Sequence, residues 1–273
     1  MAIHSSIPEE HDPIQCDLLL IVATSTEEDE LKRASKRLAL PFKAKKNSLI
    51  TKYYEIGQVG DFRVNAIRTG LGPLGYQGSA SRGILCQRAT GATSIIQLGM
   101  AFGVDKSRQN IGDVLVSTSL LPYDDREIFD DPNQPLGYKT DYKHVVEHPS
   151  KLSLLNLFRN PARRGETEHG VHVGALLSGA ARISSDRYLA ELLTQVPCTG
   201  EEIVGGEMEG VGLLSISPRT DPLWLVIKGI SDFATTDRHE HIRETRKLAC
   251  RNAAFFVLNG LLTDSRIDHP TGA

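Results

Sequence analysis

The sequence predicts an α/β fold built on a largely parallel sheet. Three observations predict it. Apolar runs recur that are too continuous for a sheet with one wet face. Stretches of helical length lie between them. The chain has 273 residues, 40% hydrophobic and 24% charged, which is an ordinary globular composition. A chain of this size can bury a large core without disulfide or metal staples.

The elements follow in order. Residues 16–23 form a continuous apolar run, as in a strand buried on both faces. Thr24, Ser25 and Thr26, backed by Glu27, Glu28 and Asp29, mark a helix N-terminus. That helix should stop before Pro41. Residues 51–58 and 61–69 read as a hairpin joined at Val59 and Gly60. A glycine-rich turn at 70–75 leads into a small-residue helix ending near Ala89. Strands follow at 92–98 and 113–121. Residues 122–170 hold five prolines, many charges and too few large apolar residues for a core of their own. They read as an insertion with one amphipathic helix at 149–159. Further strands are expected at 171–178, 202–205 and 223–230. Helices are expected at 184–195, from Glu207 onward, and at 241–262. Residues 1–14 read as a polar leader and 264–273 as a tail, leaving one domain over 15–263.

Composition excludes several functions. The net charge of −3 does not suit a dedicated nucleic-acid binder, which carries a basic face. The lysines at 43, 45 and 46 and the arginines at 159, 163 and 164 are short clusters of ordinary solvated surface. The apolar run at 18–23 is too short to span a bilayer. Residues 1–12 lack the basic-then-apolar order of a signal peptide. Cys16, Cys86, Cys198 and Cys250 are scattered, with no CxxC pair, and read as buried thiols of a reducing compartment. The expectation is a cytoplasmic protein without nucleic-acid or membrane partners.

Gly70-Leu71-Gly72-Pro73-Leu74-Gly75 matches the GxGxxG outline of a dinucleotide-binding turn. The acid that should follow about 20 residues later is absent, because no Asp or Glu occurs between Gly75 and Asp105. The turn instead lets the backbone approach a ligand. Ligands of open α/β sheets sit beyond the carboxyl ends of the strands. The sequence puts Glu28, Gly99-Met100-Ala101, Ser178-Gly179 and Ser231-Asp232 there. Gly205-Gly206-Glu207-Met208-Glu209-Gly210 sits where a short strand passes into a helix, and core packing alone explains it poorly. Each acid taken singly has an ordinary reading, as a dipole partner, a turn cap or a solvated first-turn charge. Together they set three carboxylates around one cleft, which suits cleavage at an electron-poor sugar carbon.

Glu207-Met208-Glu209-Gly210 with Ile230-Ser231-Asp232-Phe233 resembles the paired signatures of the purine/uridine phosphorylase superfamily. Residues 23–30, Gly70 and Gly72, Gly99 to Gly103, Gly112 to Val116, and Ser178-Gly179 occur in that family's order, so the likeness covers roughly 16–262. The resemblance implies a single three-layer α/β/α domain around a mixed, partly closed sheet, and a homo-oligomer. Phosphorylases of the family carry an arginine and a serine where this chain has Gln97 and Met100. The acidic first loop resembles the methylthioadenosine/S-adenosylhomocysteine nucleosidases, which attack with water. The roles it implies are Glu28 as the base for water, Glu209 on the ribose hydroxyls, and Asp232, supported by Ser231, as the acid at purine N7. Met208 would pack on the ribose. Glu207, Gly70, Gly72, Gly99, Met100, Ala101, Ser178, Gly179 and Ile183 would line the substrate site. Arg182 stands where those nucleosidases have a base-stacking phenylalanine, and its planar guanidinium could take that place. The run from Gly205 to Leu213 also looks like nucleosidase domains of bacterial immune and signalling proteins, some of which cleave adenine nucleotides. Arg126, Arg159, Arg163 and Arg164 would then meet a 5′-phosphate, or else face solvent. The pairs His144/His148 and His169/His172 lack a third ligand, and His239 and His241 read as solvated loop residues. No metal and no cofactor is expected.

Overall fold

A computed structural model describes residues 14–160, 168–236 and 242–267. Residues 1–13 of the expected leader lie outside them, as do Arg163, Arg164, His239 and His241. In chain order the strands and helices begin with β1 (Leu18–Val22), α1 (Ser25–Arg37), β2 (Lys43–Asn47), β3 (Thr51–Val59), β4 (Phe62–Arg68) and α2 (Ser79–Thr90). Next come β5 (Ser94–Gly103), β6 (Val114–Pro122), β7 (Glu127–Asp130), β8 (Tyr138–Asp141), β9 (His148–Pro149) and α3 (Leu152–Arg159). The chain continues with β10 (Val171–Ser178), α4 (Asp186–Gln195), β11 (Ile203–Glu207), a 3-10 helix (Gly210–Ser215), β12 (Trp224–Asp232) and α5 (Ile242–Ile267).

The main sheet runs β11-β10-β6-β12-β5-β1-β4-β3-β2. It is mixed rather than largely parallel. β1 pairs in parallel with both β4 and β5, but β12 meets β6 and β3 meets β4 in antiparallel fashion. The sheet also closes on itself in part. β11 pairs with β10 and, antiparallel, with β5, where Gly205 faces Gly103 and Gly206 faces Phe102. This closure explains the double glycine. A Cβ on Gly205 would stand 2.5 Å from the Phe102 carbonyl oxygen, and one on Gly206 would stand 2.2 Å from the Phe102 ring. Packing, not ligand approach, requires these two glycines.

Alternate residues of the central strands feed two cores. Leu18 and Leu20 of β1 pack in one cluster with Leu31 of α1 and Phe256, Val257 and Leu261 of α5. Leu19 and Ile21 pack on the opposite face with Cys86 of α2 and Leu213. Strands buried on both faces give the three-layer α/β/α arrangement, and explain why their sequence runs are unbroken.

The structure refines several expectations. The helix expected from Glu207 does not form: β11 runs through Glu207, and only six residues of 3-10 helix follow. Gly210 and Gly212 disfavour a longer helix, and the Glu207 carboxylate takes the N–H groups of Glu209 and Gly210. The lysines at 43, 45 and 46 lie on an exposed edge strand, where such charges discourage edge-to-edge pairing. The insertion carries a hairpin, β7–β8, beside its expected helix. The closing helix passes residue 263 and ends at Ile267.

Candidate active site

The first candidate group sits at the start of α1. Thr24 is the N-cap; its hydroxyl accepts from the Glu27 N–H at 3.2 Å, and the Glu27 carboxylate accepts from the Thr24 N–H at 2.8 Å. This capping box folds Glu27 back over the end of β1. Its carboxylate also accepts from Ala23 N–H at 2.6 Å and, across the sheet, from Met100 N–H at 3.1 Å. Gly99 makes room: a Cβ there would lie 2.0 Å from Glu27 Oε1. Glu27 is buried, lines the cleft, and has its pKa raised, first by burial and also by Glu209, against the pull of Lys228.

Glu28 is not in the cleft. It points to a different side of the helix start, accepts from the Tyr54 hydroxyl, and pairs with Arg68 at 3.3 Å and Lys52 at 3.8 Å. One residue turns a helix by about 100°, so Glu27 faces the cleft and Glu28 does not. Arg68, at the end of β4, is thus engaged by Glu28.

The second group lies beneath β11. Glu207 and Glu209 are both buried, and between them stands Lys228 of β12, which is fully buried. Lys228 Nζ is 2.9 Å from Glu209 Oε2 and 3.6 Å from Glu207 Oε2. Burial alone would lower the lysine's pKa. The three carboxylates Glu209, Glu207 and Glu27 hold it above its ordinary value instead. Burial raises the pKa of Glu207, against Lys228. Ser178 donates to Glu207 at 2.6 Å and accepts from Val211 N–H. Gly72 N–H donates to Glu209 Oε1 at 3.1 Å. The glycine turn therefore approaches a carboxylate of the protein itself, and the left-handed φ of +77° at Gly72 aims that N–H.

The third group ends β12. A register shift between Ile230 and Asp232 turns this strand end. Ser231 Oγ lies 3.0 Å from Asp232 Oδ2 and 3.1 Å from the Ala101 carbonyl. Ala234 N–H donates to Asp232 Oδ1 at 2.9 Å. Asp232, Arg182 and Ile183 all line the cleft.

Of the residues expected from sequence, Met100, Ala101, Arg182, Ile183, Glu207, Met208, Glu209, Ser231 and Asp232 line one cleft. Gly70, Gly72, Gly99, Ser178 and Gly179 do not line it; Gly72, Gly99 and Ser178 support those that do. Sequence reasoning missed Glu27, Lys228 and Arg246. The Thr24-to-Glu27 capping-box spacing was the available signal for the first. Arg126 pairs with Asp124 at 2.9 Å and Arg159 with Glu201, and neither arginine lines the cleft. His172 Nε2 is 2.9 Å from Asp113. Among the described residues, no three His, Cys, Asp or Glu side chains gather as a metal site.

Buried carboxylates at the strand ends, a carboxylate–hydroxyl pair and a partly closed α/β/α sheet define a class of site. The chain belongs to the phosphorylase superfamily, whose family model matches residues 17–260. It is 26% identical over 211 residues to the 5′-methylthioadenosine/S-adenosylhomocysteine nucleosidase of Haemophilus ducreyi, covering 76% of this chain and 83% of that one. It is 27% identical over 194 residues to a death domain-containing ATP nucleosidase of Amphimedon queenslandica, covering 63% of this chain but only 34% of that protein. The chain thus spans about a third of that relative's length. Its fold is similar to that of the Neisseria meningitidis 5′-methylthioadenosine/S-adenosylhomocysteine nucleosidase solved with methylthio-immucillin-A. That match has a TM-score of 0.69 at 21% identity, covering 90% of this chain and 98% of that one.

Proposed function

We propose that the protein hydrolyses the N-glycosidic bond of an adenine nucleoside or nucleotide and releases free adenine. The observation that carries this reading is the seat of Glu27. Its carboxylate already fills the pocket of backbone donors from Ala23, Thr24 and Met100. A phosphate nucleophile would need those donors and would meet a buried carboxylate. Water needs only a base, and Glu27 supplies one.

Glu27 takes the proton of the attacking water. Glu209, held by Gly72 N–H and Lys228, keeps lone pairs for the ribose hydroxyls and favours the positive charge that grows on the sugar. Asp232, oriented by Ala234 N–H and Ser231, gives a proton to N7 of the leaving base. Met208 packs on the sugar. This is glycoside-cleavage logic, with one acid for the leaving group and one carboxylate for water. Adenine as the base is supported by the names of the relatives. A reducing cytoplasm is supported by the four free cysteines. A homo-oligomer is supported by exposed apolar side chains at Leu71, Leu74 and Tyr76 and on the β7–β8 hairpin.

Chromatography of adenosine, methylthioadenosine and adenine nucleotides incubated with the protein tests the reading. Free adenine should appear from at least one of them, and Asp232→Asn should lower its rate on the order of 10²–10⁴-fold. Intact substrates throughout, or near-normal turnover by Asp232→Asn, would contradict it.

A further inference from the structure

Arg246 is a cleft residue that the chemistry above does not use. It comes from the second turn of α5 and lines the same cleft as Glu27, Glu209 and Asp232. Its Nε is buried and has no hydrogen-bond partner among the described residues. A buried guanidinium donor without an acceptor is costly, so the atom points to a missing acceptor. The acids of the cleft floor do not supply it. Lys228, at the centre of Glu27, Glu207 and Glu209, already serves as their counter-ion.

Arg182 stands on the cleft wall too, at its exposed rim. Among the described residues it forms no ion pair, in contrast to Arg68 with Glu28 and Arg126 with Asp124. Two guanidinium groups on one small cleft, neither tied to a described carboxylate, suit a ligand that brings its own negative charge. The fork geometry of arginine fits phosphate oxygens better than a single neutral hydroxyl.

We propose that the cleft takes its substrate as a 5′-phosphorylated adenine nucleotide, with Arg246 and Arg182 as the phosphate-binding pair. This deepens the glycosidase reading and rests on it. The phosphate is bound, not transferred, so the bond broken is still the one between base and sugar.

The test is kcat/KM for adenine release from adenosine, methylthioadenosine, AMP and ATP by the full chain. AMP or ATP should exceed both nucleosides. Arg246→Gln and Arg182→Gln should each reduce the nucleotide-to-nucleoside ratio on the order of 10- to 100-fold, and Arg246→Lys should restore part of it. Added salt should weaken nucleotide turnover more than nucleoside turnover. Nucleosides cleaved while nucleotides stay intact would overturn the inference and leave the glycosidase reading standing. So would an Arg246→Gln variant that slows all substrates equally, since that arginine would then serve Asp232. No adenine from any of the four would overturn both.

Discussion

Glu27 and Glu28 are adjacent carboxylates with opposite surroundings. Glu27 is enclosed by backbone donors inside the cleft; Glu28 is tied to Tyr54, Lys52 and Arg68 outside it. Glu27→Gln should lower kcat on the order of 10²–10⁴-fold, as expected for loss of a general base. Glu28→Gln should stay within a few-fold of the parent in the same assay. The reverse ranking would return the base to Glu28. Burial holds the Glu27 pKa above the usual glutamate value. A base must be deprotonated to act, so activity should rise with pH along a limb that also lies above that value. Lys228 pulls the Glu27 pKa down. Lys228→Gln should therefore move the limb to higher pH. It should also cost about 3–5 kcal/mol of stability, because it strands buried carboxylates. A pH–rate profile and a denaturant titration read the two effects separately. Glu207, Met208, Glu209, Ser231 and Asp232 were legible in the sequence because two short motifs carry them. Glu27 was not, because assigning it needs the helix start to within one residue. Lys228 was hidden because a lysine inside a strand carries no sign of burial.

At the scale of elements, the capping box of α1 couples stability to the site. Thr24→Ala removes the hydroxyl that accepts from Glu27 N–H. It should cost about 1 kcal/mol, and Thr24→Ser should recover most of that in a thermal melt. Gly99→Ala sets a methyl 2.0 Å from the Glu27 carboxylate. Its loss of kcat should far exceed that of the cap variant; equal losses would mean that Glu27 moves aside without consequence. The strands of the central sheet were readable because burial on both faces leaves unbroken apolar runs, as in β1 and β12. β2 and the β7–β8 hairpin were not readable, because most of their residues are exposed, none is buried and no apolar pattern marks them. The helix expected after Glu207 failed for a related reason. The acid and glycines that resemble a helix start are used instead to end a strand and to bring a carboxylate beneath the cleft.

For the whole molecule, sheet closure is what assembles the site. β11 bends from β10 onto β5 and carries Glu207 to the strand ends where Met100, Ala101 and Asp232 lie. Single-strand patterns reveal elements but not this closure, which depends on Gly205 and Gly206 meeting Phe102 across the β11–β5 pair. The resulting cleft has a carboxylate seated among the backbone donors, which is the ground for proposing water as the nucleophile. The most direct test is the sugar product formed from the preferred substrate at saturating inorganic phosphate, read by phosphorus NMR. Attack by water leaves an unphosphorylated anomeric carbon and a rate of adenine release that does not depend on phosphate. A sugar 1-phosphate, formed at a rate that rises with phosphate, would contradict it.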